Sequence, residues 1–168
     1  MKKFYSVFVL AVMAVFTLSC EGPRGPQGPQ GPAGPDTISE VFEVTANFTP
    51  SNNFQVFYDL NPSIYASDVL LVYELAGVFN GNDIWKLLPQ VYTFNQGIMQ
   101  YNFDFTQHDF SIYMDATFDP MTLDSSWRMN KVFRIVIVPG YFSTQVDVED
   151  INAVMSELSL GEDSIIHL

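Results

Sequence analysis

The chain has 168 residues, 48% apolar and 15% aromatic, with fifteen Phe and eight Tyr. That composition excludes a disordered chain and leaves room for one domain with attachments. Nineteen acidic residues against seven basic ones give a net charge of −12. Nucleic acid is excluded as a partner on that balance, because phosphate backbones need clustered Lys or Arg.

Met1-Lys2-Lys3 is a short cationic start, and Phe4–Phe16 is an apolar run too short to span a bilayer comfortably. Residues 1–19 therefore read as a signal peptide that ends at Cys20. Without Lys2 and Lys3 the remainder carries 5 basic against 19 acidic residues, a net charge of −14. Cys20 is the only cysteine, so no intrachain disulfide can form and the thiol has another job.

Residues 20–36 hold that cysteine and a stalk. Glycines at 22, 25, 28, 31 and 34 are each followed by proline, giving five Gly-Pro-Xaa triplets. Only Gly fits the axis of a collagen triple helix, and Pro presets polyproline II geometry. Two arrangements fit. Three chains wind together into a homotrimer, or one chain forms a semi-rigid spacer about 45 Å long at ~3.1 Å per residue. No coiled-coil heptads flank the stalk to nucleate a trimer, which favours the spacer.

Ser19-Cys20 at the end of the apolar run resembles the lipobox of bacterial lipoproteins. The lipobox leucine usually lies three residues before the cysteine; here Thr17 stands there and Leu18 follows it. The resemblance implies cleavage before Cys20 and lipid attachment at Cys20, with a membrane as the partner. Several acyl chains anchor a protein stably where one does not. In two-membrane bacteria, Asp after the cysteine is associated with inner-membrane retention. Glu21 stands there, so the resemblance implies the cell envelope, at the outer membrane.

Residues 37–168 show strand signals every ten to fifteen residues. Val41–Thr49 alternates, with Phe42, Val44, Ala46 and Phe48 on one face. Phe54–Leu60 is a second strand, ended by Asn61-Pro62. Asp68–Ala76 is nearly continuous apolar, as expected of a central strand covered on both faces. Asn80-Gly81 signals a hairpin. Ile84–Leu88 and Val91–Phe94 are split by Pro89, which places them at an edge or a bend. Ile98–Thr106 turns Met99, Tyr101, Phe103 and Phe105 one way, and Phe110–Phe118 repeats the pattern. Asp119–Lys131 is a loop, with room for a short helical turn, carrying Trp127, and Val132–Val138 is the most apolar strand.

A helix follows. Asp147 is its expected N-cap, Val146 and Ile151 are placed for a hydrophobic staple, and Gly161 is the expected stop. Val148, Ile151, Val154, Met155 and Leu158 make its apolar stripe. The fold class is mainly β: an antiparallel β-sandwich of about seven or eight strands with one C-terminal helix. The order of leader, triplets, acidic β-rich domain and helix resembles the collagen-like lipoproteins of Bacteroidota-type bacteria. Residues 101–115 and 133–142 carry the likeness through the domain. They are strand cores, so the resemblance implies a fold and no chemistry.

Candidate chemistry is sparse. No nucleophile elbow, phosphate loop or dinucleotide fingerprint occurs. His108 reads as a solvated turn residue and His167 as part of a mobile tail, and neither has a partner at metal-ligand spacing. Asp104, Asp109, Asp115, Asp119 and Asp124 are the only paired-carboxylate candidates for a hydrolase, and Asp119–Asp124 lacks the spacing of a calcium loop. The expectation is therefore no enzyme, no cofactor and no metal, and a structural or interaction role. The alternative is a surface module for carbohydrate or another ligand, in which Trp127 or Trp85 stacks on the ligand. Tyr92, Tyr113 and Tyr141 are further aromatic candidates.

Overall fold

The computed structural model describes residues 39–140, 142 and 146–168. These fall within the unit Asp36–Leu168. The expected signal peptide, Cys20, the triplets and Tyr141 lie outside the described residues.

Among the described residues, nine strands form two sheets. They are β1 (Val41–Ala46), β2 (Gln55–Asp59), β3 (Val69–Phe79), β4 (Asn82–Leu87), β5 (Gln90–Phe94), β6 (Gly97–Phe105), β7 (Asp109–Ala116), β8 (Lys131–Val138) and β9 (Ile165–His167). One sheet has the order β4-β3-β8-β1-β9 and the other β2-β7-β6-β5. Pairing is antiparallel throughout, except that β9 runs parallel to β1. Among the described residues one α-helix, α1 (Ile151–Glu157), precedes β9. The expected sandwich with a C-terminal helix is the observed one.

The two most apolar strands lie where a two-faced strand must lie. β8 sits between β3 and β1, and all its residues from Phe133 onward are buried. Phe133, Ile135 and Ile137 pack between the sheets with Leu70, Val72, Met99 and Ile112. Val136 and Val138 pack on the other face with Tyr73, Ile151, Val154 and Met155. The molecule thus has two apolar layers, one between the sheets and one beneath α1. A strand that serves both reads as unbroken hydrophobic sequence rather than as alternation. Each large side chain so buried stabilises the fold by about 1.5–3 kcal/mol.

The second sheet alternates instead. Met99, Tyr101, Phe110, Ile112 and Met114 point inward and are buried. Between them, Gln100, Asn102, Asp104, Tyr113 and Asp115 stand on the opposite face of β6 and β7. Leu88-Pro89 is the point at which the chain crosses from β4, an edge of the first sheet, to β5, an edge of the second. Asn80 and Gly81, both with positive φ (51° and 79°), make the hairpin turn between β3 and β4. Two successive left-handed residues match the twist of paired strands, which is why Asn-Gly marks such turns.

Several boundaries differ from the sequence reading. β1 ends at Ala46, where Phe48 leaves the ladder to donate its amide to the Arg128 carbonyl (2.7 Å). Phe48 still reaches the core and is wholly buried. The N-cap of α1 is Asp150, whose side chain accepts from the Asn152 amide (2.9 Å). Asp147 instead accepts from the Glu149 amide (3.0 Å) and closes a separate turn. That turn leaves Val148 38% exposed, outside the stripe, and aims its carbonyl at the Tyr73 hydroxyl, which donates to it (2.7 Å). The helix stops at Leu158, followed by Ser159 in the left-handed region (φ 57°), and Gly161 caps the next turn. His167 is not in a loose tail. It lies in β9, level with Glu43 of β1.

Candidate functional site

β1 begins at Val41, level with Val136 of β8 and Leu71 of β3. It ends at Ala46, level with Lys131. Glu74, level with Phe133, therefore lies toward the end of the sheet opposite the one at which the chain enters β1. At that far end the two sheets part around a cavity of about 280 Å³ lined by Glu74, Ala76, Lys86, Tyr92, Ser126, Trp127 and Lys131.

Glu74 forms the floor and is 1% exposed. Its Oε1 meets Lys131 Nζ at 2.9 Å, and its Oε2 accepts from the Tyr92 hydroxyl at 2.7 Å. A buried carboxylate is costly unless it is both paired and hydrogen-bonded, and here it is both. Lys131 comes from the same sheet and Tyr92 from the other, so Glu74 ties the sheets together. Burial first, then the hydrogen bond and charge of Glu74, push the Tyr92 phenol well above its ordinary range.

Aromatic rings surround this pair. Lys131 Nζ lies 5.3 Å from the Tyr101 ring and 6.0 Å from Trp127. Trp127 meets Tyr92 and Phe94 edge to face, at 4.9 and 5.1 Å. Its carbonyl accepts from the Tyr101 hydroxyl. Trp127 is thus half-buried, on a short 3-10 turn, Ser125–Trp127, within the expected loop. Asp124 caps that turn by accepting from the Ser126 amide (2.8 Å). Hydrogen bonds from the Ser126 hydroxyl and amide hold the Asp124 carboxyl below the usual carboxylate range.

Trp85 is elsewhere. It packs in the layer beneath α1, and the Arg134 guanidinium stacks over its ring at 4.3 Å. It also lines a second cavity of about 330 Å³ with Lys86, Leu87, Leu88, Pro89, Gln90 and Glu149, so Lys86 stands between the two cavities. The two tryptophans do not converge on one site. Arg134 is itself 5% exposed and bridges Glu43 and Glu162, each at 3.1 Å. His167 Nδ1 lies 3.7 Å from Glu43 on the same cluster.

The remaining candidates are used locally. His108 shares a hydrogen bond with Ser63 (2.8 Å) at the β6–β7 turn. Asp104 accepts from Ser111 (2.5 Å), Asp109 from Thr106 (2.8 Å), and Asp119 from the Met121 amide (2.9 Å). None of these carboxylates lines either cavity. Among the described residues, no group of three or more His, Cys, Asp or Glu is placed to hold a metal ion.

Glu74 and Lys131 did not stand out in the sequence as site residues. The available signal was a carboxylate inside an otherwise apolar strand, DVLLVYELA, which can be buried only with a partner. No protein-family model, curated protein or solved structure matches the chain.

Proposed function

We propose that this chain is a lipid-anchored protein of the bacterial cell envelope, held at the outer membrane. In this reading Cys20 carries the lipid, the triplets are a short stiff stalk, and the acidic sandwich is displayed for interaction rather than catalysis. The observation that carries it is the position of the sole cysteine. It stands at the end of the apolar leader and immediately before the stalk. A cysteine with no disulfide partner at that junction has lipid attachment as its evident use.

Two features support display. The cavity lies at the end of the first sheet opposite the entry to β1. The surplus of acid over base keeps such a domain soluble and clear of anionic lipid. Labelling growing cells with radioactive palmitate tests the anchor. Label is expected on the full chain and lost in Cys20→Ala; label that survives the substitution overturns the reading.

A further inference from the structure

We propose that the cavity between Glu74 and Trp127 binds a single six-membered sugar ring bearing a carboxylate, of the uronic acid type. Its volume of about 280 Å³ falls just below the roughly 300–1,000 Å³ of clefts that hold drug-sized ligands. That suits one ring rather than a chain. Trp127 and Tyr92 give it an aromatic wall, and the C–H face of a pyranose packs on such a wall. Ala76 sits at a bulge, where the β3–β4 register shifts between Leu75 and Gly77. Bulges re-aim side chains, and this one falls in the cavity wall.

Charge selects the acid. Glu74 and Lys131 neutralise each other at 2.9 Å. Lys86 adds a second ammonium, exposed and 5.6 Å over the Tyr92 ring. Among the described residues it makes no ion pair. The cavity therefore carries a surplus of one positive charge in a chain whose net charge is −12. Glu149 shares the neighbouring cavity with Lys86 but makes no ion pair with it, and more distant carboxylates are screened over about 8–10 Å. A monoanion matches that surplus, and a neutral sugar leaves Lys86 unpartnered. Ser126 lines the cavity with its hydroxyl hydrogen committed to Asp124, so its oxygen lone pairs are left to accept from a ring hydroxyl.

The test uses the detergent-solubilised full chain carrying Trp85→Phe, so that Trp127 is the sole indole emitter. Glucuronic acid, glucose and acetate are titrated separately. Glucuronic acid is expected to change Trp127 emission saturably. Glucose and acetate are each expected to bind at least about tenfold more weakly, since each lacks one half of the recognition. Lys86→Met is expected to weaken glucuronic acid about tenfold and leave glucose unchanged, while Lys86→Arg keeps the preference. If Trp85→Phe does not fold, the Trp127 indole N–H signal of the unsubstituted chain gives the same readout by NMR. Absence of saturation overturns the proposal, as does acetate or glucose binding as well as glucuronic acid, or Lys86→Met without effect. The titration involves no membrane, so its outcome is independent of the lipid anchor.

Discussion

Glu74 shows most directly how single residues set this fold. Its carboxylate is almost fully covered, and one lysine and one phenol compensate it. Replacing Lys131 by Met leaves a buried charge without its counterion, and about 3–5 kcal/mol of stability should go. The double variant Glu74→Gln, Lys131→Met removes both charges and should lose distinctly less. Urea midpoints of the two variants check this, and equal losses would contradict it. Three tyrosines set the alkaline limit. Burial raises Tyr73, Tyr92 and Tyr101; Asp150 and Asp147 add to it for Tyr73, and Glu74 for the other two. Each folded phenol holds its proton more tightly than an unfolded one titrating near pH 10. The stability this adds is full below about pH 10 and is lost as pH rises beyond it. Thermal melts should therefore fall steadily above about pH 10, with a shallower fall in Tyr92→Phe; an unchanged slope in that variant would contradict the assignment.

At the level of elements, β6, β7 and β8 were legible in the sequence because one physical pattern decides each. Met99 and Tyr101 alternate with Gln100 and Asn102 on a one-sided strand, and the run Phe133–Val138 serves two cores. The helix start was less legible, since Asp147 and Asp150 both have capping chemistry. Tyr73 reaches the Val148 carbonyl across 75 residues of sequence, and a local reading cannot weigh that bond. Asp150→Ala should accordingly cost about 1 kcal/mol and Asp147→Ala distinctly less, by urea denaturation. The reverse order would place the cap at Asp147. Strand β9 was illegible for another reason: Ile165–His167 is too short to show a period. It forms because β1 offers an open edge and because Arg134, buried beneath α1, holds Glu43 of β1 and Glu162 just before β9.

For the molecule as a whole, the proposed mounting rests on the sequence alone and the candidate site on the structure. The apolar leader, Cys20 and the triplets are linear signals, readable because their chemistry lies in order along the chain. The cavity is not linear: Glu74, Tyr92, Trp127 and Lys131 come from β3, β5, a turn and β8, and only the sandwich brings them together. Trp127 was singled out for its aromatic face, but its partners could not be read from spacing. The display account joins these two halves, and cell fractionation tests it most directly. The full chain, Cys20→Ala and a deletion of residues 22–36 are expressed in parallel, and membranes are separated from soluble material. The account predicts the full chain and the stalk deletion in the membrane fraction and Cys20→Ala in the soluble one. Cys20→Ala remaining with the membranes would contradict it.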